Sequence, residues 1–190
     1  DQAVSRGLGD VYKRQPLWMA ILNVTPDSFS DGGERQSHNR IENEINHFIR
    51  NGVSIIDVGG ESTRPGATPV SPEEEWRRIE YALKFIKSTR NGIVKHPLIS
   101  ADTRNLSVAE KSVDLGVDII NDVSGLAHES FADLVKSSSC FYILTHSLGA
   151  PAQTEVTLST DCDPIDELIA WFSEKINFMI SKGVNTEQII

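Results

Sequence analysis

Cysteine is almost missing from this sequence: Cys140 and Cys162 are its only two, and they share no metal-like spacing. So sparse a pair argues against a disulfide scaffold and reads as reduced thiols in a cytoplasmic protein. Cys140 opens an apolar run and is expected in the core. Long apolar stretches are missing too. None approaches the roughly 18 residues that a membrane span requires, so no membrane partner is expected. Cations are scarce, with 18 Lys and Arg against 27 Asp and Glu and a net charge of −9. That balance argues against nucleic acid, which needs a basic face. A phosphorylated small substrate stays open, because a few local cations suffice for one.

The first fifteen residues contain no apolar h-region and are not expected to be a secretory signal. Residues 5–15, Ser5-Arg-Gly-Leu-Gly-Asp-Val-Tyr-Lys-Arg-Gln15, resemble a translated transposase-type sequencing adapter. Residues 1–15 are therefore set aside as a non-native arm, and the balance without them is still acidic. Residues 16–190 are expected to form one domain.

From Pro16 onward, short apolar runs alternate with longer amphipathic stretches. Strands are expected at 17–24, 54–58, 98–101, 117–120 and 141–145, and a sixth begins at 188–190. Between them, Ile41, Ile45, Phe48 and Ile49 form a helical stripe stopped by Gly52. Ser71-Pro72-Glu73-Glu74 reads as an N-cap, a proline at the first helical position and a capping box. The helix it opens carries Trp76, Ile79, Leu83 and Ile86 on one face. Asn105 is placed to cap a helix that Gly116 ends, Phe131, Leu134 and Val135 mark another, and Asp163-Pro164 starts a long one through Ile180, stopped by Gly183.

Five βα units and the start of a sixth describe a parallel α/β fold. Periodicity alone fits a doubly wound sheet as well as a barrel. Polar residues decide between them: Asn23, Asp57, Asp102, Asn121 and His146 each fall at the C-terminal end of a successive strand. In a (β/α)8 TIM barrel such positions ring a single mouth, where barrel enzymes place their chemistry. A complete barrel takes about 250 residues, so the expectation is an incomplete one.

The most specific segment is Ile21-Leu-Asn-Val-Thr-Pro-Asp-Ser-Phe-Ser-Asp-Gly-Gly33. It is a strand ending in a polar, glycine-rich loop that is longer and richer in side-chain oxygens than a plain connection needs. Asp102, just past its strand, reads equally as a ligand acceptor or as a helix cap or partner of Arg104. Asp57 reads as structural, organising the mouth through hydrogen bonds.

The segment from Ile21 to Gly33 resembles the signature loop of dihydropteroate synthases. Ile55-Ile-Asp-Val-Gly-Gly-Glu-Ser-Thr-Arg-Pro-Gly-Ala67 is similar to that family's second signature. Ile99-Ser-Ala-Asp-Thr103 and Ile119-Ile-Asn-Asp-Val-Ser-Gly125 are similar to its third and fourth strand ends. The resemblance implies a transferase that condenses 6-hydroxymethyl-7,8-dihydropterin diphosphate with p-aminobenzoate. It implies Asp102, Asn121 and His146 on the pterin, and Asn23 as a ligand to Mg2+ at the diphosphate. Thr25, Pro26, Asp27, Ser28 and Phe29, with Ser62, Thr63, Arg64 and Pro65, are implied as two loops closing over p-aminobenzoate and the diphosphate. No residue is implied as a general acid or base. The parent enzyme is implied to be a homodimer.

Two departures qualify the resemblance. Ser147 stands beside His146 where the family usually has methionine, which changes the packing against the pterin. The family's later Asp-Pro-Gly, Ser-Arg-Lys and Arg-x-His segments are not in this sequence. Residues 16–190 are therefore expected to be the N-terminal part of the barrel and inactive on their own. The alternative is a pterin- or methyl-folate-binding barrel without synthase activity, against which the two p-aminobenzoate loops argue.

Overall fold

Strands β1 (Met19–Asn23), β2 (Ile55–Gly59), β3 (Leu98–Asp102), β4 (Ile119–Asp122) and β5 (Phe141–Leu144) pair in parallel, each beside its predecessor in the chain. A doubly wound sheet reverses direction at a switch point, and this one does not. Consecutive order with helical crossovers is a singly wound arc of a barrel. The computed structural model describes residues 16–25, 33–62, 68–90, 96–149, 156–158 and 161–190. The arm at 1–15 lies outside the described residues.

Register sorts the side chains into two faces. Leu22, Ile56, Val58, Ile99, Ala101, Ile120, Tyr142 and Leu144 belong to the buried core with Ile41, Ile45, Ile79, Leu83, Ile86, Val108 and Phe131 from the helices. Those helices are α1 (Gly33–Arg50), α2 (Pro72–Thr89), α3 (Leu106–Leu115), α4 (Ser130–Ser137) and α5 (Pro164–Ser181). The other face is the barrel interior. Its middle rung runs Ile21, Asp57, Ser100, Ile119, Phe141, and the rung above it runs Asn23, Gly59, Asp102, Asn121, Ile143.

Helix starts follow local chemistry, with two corrections. Ser71 caps α2, its Oγ accepting from the Glu74 N–H at 3.3 Å. The Glu74 carboxylate, expected to complete a capping box, instead accepts from Arg77 and Arg78, which are within helical reach. Asn105 occupies the N-cap of α3 but makes no side-chain cap bond. Its Nδ2 donates to buried Glu75 Oε2 at 2.6 Å, because a buried carboxylate is the more demanding acceptor. Asp163 caps α5 as expected, accepting from the Ile165 N–H at 2.8 Å.

Most strand ends move by one or two residues, and three boundaries carry a visible cause or consequence. Helix α1 starts at Gly33, ahead of the stripe that marked it, and β4 starts at Ile119 because Asp118 turns away to bind Arg90 and the Ile99 N–H. The sixth strand begins late, after a 3-10 turn at Thr186–Gln188. Ile190 then donates to the Tyr142 carbonyl at 2.9 Å and accepts from the Leu144 N–H at 3.0 Å. Cys140 is buried and Cys162 exposed, both as free thiols. Among the described residues, no helix is long and apolar enough to cross a membrane.

Candidate active site

The site rests on the top rung. Asn23, Gly59, Asp102 and Asn121 are consecutive register partners, so β1 to β4 present four positions side by side at the strand ends. Gly59 leaves the space that Asp102 uses: a Cβ there would stand 3.0 Å from Asp102 Oδ2. The carboxylate thus lies across the neighbouring backbone, where a ligand edge can meet it. Asp102 does not pair with Arg104, whose Nε and Nη2 donate to Glu61 at 2.7 and 2.9 Å. Nor does it cap α3, a position taken by Asn105. Both structural readings of Asp102 fall away.

Asn121 is fixed from below. Its Nδ2 donates 3.0 Å to Asp57 Oδ2 on the middle rung, which orients the amide with its oxygen free of that contact. Asp57 is thereby the organiser the sequence suggested. Its other oxygen and the Ser100 hydroxyl are buried without a hydrogen-bond partner among the described residues. Burial pushes the Asp57 carboxyl above the usual range, opposed by neighbouring Ser100 and Asn121.

Asp102 itself is pushed up to about 7, by burial first and then by the negative charges of Asp57, Glu75, Asp122 and Glu61. Asp102 is thus a half-buried carboxyl among other acids at the strand ends, and a group shifted this strongly is a candidate for a functional site.

The loop after β4 is held by Asp122. Its Oδ1 accepts from the Ser124 N–H at 2.8 Å, and its Oδ2 from the Leu126 N–H at 3.0 Å and the Tyr142 hydroxyl at 2.6 Å. Sequence reading passed over Asp122, although an Asp between Asn121 and a Ser-Gly turn is a recognisable Asx signal. Glu61 and Glu75 were passed over as well. Both lie beside the mouth, and Glu75 is fully buried.

A family model described as pterin binding enzyme matches residues 19–190. The chain belongs to that family.

The dihydropteroate synthase of Synechocystis is 38% identical over 173 residues, covering 90% of this chain and 58% of the relative. A dihydropteroate synthase from Anaplasma phagocytophilum, solved with bound 6-hydroxymethylpterin-monophosphate, is 37% identical with a TM-score of 0.78, covering 91% of this chain and 65% of that one. The Xanthomonas albilineans synthase solved with 4-aminobenzoic acid is 29% identical with a TM-score of 0.78, covering 93% of this chain and 60% of that one. The chain thus spans 58–65% of the length of these three relatives, and 20–29% of longer folate-synthesis proteins that it also matches.

Within this chain, the described candidates separate. Asn23, Asp102 and Asn121 share one rung. Ser62 follows β2 at the entry to the second loop, and Thr25 follows β1 at the entry to the first. His146 is apart: its ring meets Trp171 edge-on at 4.8 Å and Phe172 at 6.2 Å, both on α5. Trp171 also closes on Gly125, where a Cβ would come within 2.8 Å of its ring. His146 therefore sits in an aromatic cluster that joins β5, α5 and the loop after β4. Pro26, Asp27, Ser28, Phe29, Thr63, Arg64 and Pro65 lie outside the described residues.

Proposed function

We propose that the protein is a dihydropteroate synthase, and that this chain carries its pterin cradle. The observation that carries the reading is the Asp102–Asn121 pair on the top rung, in a chain of the pterin binding family. A pterin edge offers an amino group beside a ring N–H. An ionised Asp102 accepts both in a bidentate way, and Asn121, oriented by Asp57, matches the mixed donor and acceptor atoms alongside.

The acidic surroundings that suit this edge repel a diphosphate. The leaving group is therefore assigned to the loops after β1 and β2, where Asn23 and Arg64 supply the amide oxygen and the cation. Asn23 is exposed at the rung's end, and an amide oxygen is the hard donor that Mg2+ prefers. Among the described residues no group of three or more His, Cys, Asp or Glu is placed to hold a metal. Mg2+ would neutralise charge on the departing diphosphate.

The amine nitrogen of p-aminobenzoate attacks the exocyclic methylene of the pterin. A C–N bond forms as the C–O bond to diphosphate breaks, and the amine loses a proton. The protein's part is to hold the two reactants in line and exclude water, a contribution of positioning rather than acid–base chemistry. Homology to synthases solved with a pterin monophosphate and with 4-aminobenzoic acid supports both substrates. A cytoplasmic location and a homodimeric parent enzyme belong to the same proposal and rest on the family resemblance.

The gene's whole product, given both substrates, is expected to release one diphosphate per dihydropteroate formed, followed by chromatography. Pterin binding without any condensation would refute the synthase reading and leave a binding protein.

A further inference from the structure

Asp57 and Asn121 stand on neighbouring rungs of the barrel interior, with β3 between their strands. Asp57 is 3% exposed, and its Oδ2 accepts from Asn121 Nδ2 at 3.0 Å. A primary amide carries two N–H groups and one carbonyl oxygen. The carboxylate below takes one N–H, which leaves the oxygen and the second N–H as an acceptor beside a donor in fixed order. Any proton that burial places on Asp57 belongs on Oδ1, the oxygen without a partner among the described residues, so Oδ2 stays an acceptor. An amide fixed in this order is selective. A 2-amino-4-oxo ring sets an amino N–H beside an unprotonated ring nitrogen, and the amide meets them with its oxygen and its N–H. A 2,4-dioxo ring sets a carbonyl beside a ring N–H and matches only the same amide turned over. Turning it over would set the Asn121 oxygen against Asp57 Oδ2 and cost a buried carboxyl its donor.

We propose that Asp57 is a positioning residue that sets ligand choice: through Asn121 it makes the cradle take a 2-amino-4-oxo ring in preference to a 2,4-dioxo ring of the same shape. The inference deepens the pterin reading above and rests on it. Asp57 is not independent of Asp102, because its charge is among those that raise that carboxyl. The test is therefore a ratio of two affinities, read at pH 8. A carboxyl at about 7 is already about nine-tenths ionised there, so lowering it further moves affinity by only about a tenth.

The gene's whole product is titrated with 6-hydroxymethylpterin and with 6-hydroxymethyllumazine, its 2-oxo counterpart. Wild type is expected to prefer the pterin. Asp57→Asn keeps the shape but offers Asn121 either an oxygen or an N–H, so the amide is free to turn. The preference is then expected to shrink about tenfold or more. Ser100→Ala changes the register neighbour of Asp57 and leaves the Asn121 contact, so its preference is expected to stay within about twofold of wild type. An unchanged or larger preference in Asp57→Asn would overturn the proposal, whatever happens to absolute affinity. So would an equal shrinkage in Ser100→Ala, because any disturbance of the middle rung would then suffice. Neutron diffraction on deuterated wild type needs no variant: deuterons are expected on the Asn121 atom that faces Asp57, and an oxygen there would overturn the assignment. Wild type with no preference for the pterin would refute the cradle and the inference together. Preference without dihydropteroate formation would refute only the synthase reading.

Discussion

Asp102 sets stability against function. Its carboxyl is raised to about 7, so the fold favours the protonated form, mainly because of burial and then because of Asp57 and the other nearby acids. For a raised acid the contribution to stability is fully present below the unfolded value of 3.8 and is lost as pH climbs through about 7. The proposed pterin recognition runs the other way, because only the ionised carboxylate accepts two N–H groups. Pterin affinity is expected to fall roughly tenfold per pH unit below the pKa, and binding near pH 7 to release a proton. Calorimetry in buffers of different ionisation enthalpy detects that proton, and a heat independent of buffer would contradict the assignment. The same reasoning predicts that Asp102→Asn is more stable than wild type at pH 8, by urea unfolding. A less stable variant at that pH would show that the acid cluster does not strain the fold.

At the scale of elements, close approach and buried polar contacts hold the cradle in place. Helix α2 lies against the end of β2: a Cβ at Gly60 would stand 2.9 Å from both the Glu75 carbonyl and Ile79 Cγ2. Gly60→Ala therefore forces the helix away from the strand and is expected to cost about 1–3 kcal/mol. Chemical denaturation measures that loss directly. Tyr142→Phe removes the hydroxyl that donates to Asp122 Oδ2 at 2.6 Å and leaves a fully buried carboxylate with backbone partners only. About 1–3 kcal/mol of destabilisation is expected, with looser exchange at the Ser124 and Leu126 amides. Unchanged stability would mean that those two N–H groups satisfy Asp122 alone.

Elements were the most legible part of the sequence, because several helix ends carry their own start or stop signal. Ser71, Asp163, Gly116 and Gly183 mark ends that the structure keeps. What was not legible is competition from outside the element. The pull of Glu75 on Asn105 depends on a residue 30 positions away, and that of Glu61 on Arg104 on one 43 away. Linear spacing carries neither. For the same reason it placed Asp102 at a strand end but left its partner open between a helix cap and Arg104. His146 was legible as a residue after β5, while its aromatic neighbours on α5 were not.

For the whole molecule, the consecutive order of β1 to β5 is what brings these positions together. Because each strand lies beside its predecessor, residues nearly a hundred positions apart, Asn23 and Asn121, end on one rung, with Asp102 and Gly59 between them. The claim that this rung is a pterin cradle is tested most directly by titrating 6-hydroxymethylpterin into wild type and Asp102→Asn, following pterin fluorescence at pH 8. The substitution keeps the shape and turns one acceptor oxygen into a donor facing the ligand's own donors. Losing a charge-assisted pair is worth about 1.5–3 kcal/mol per bond, so a loss of affinity of at least about tenfold is expected. Equal affinity in the two proteins would contradict the account at its centre.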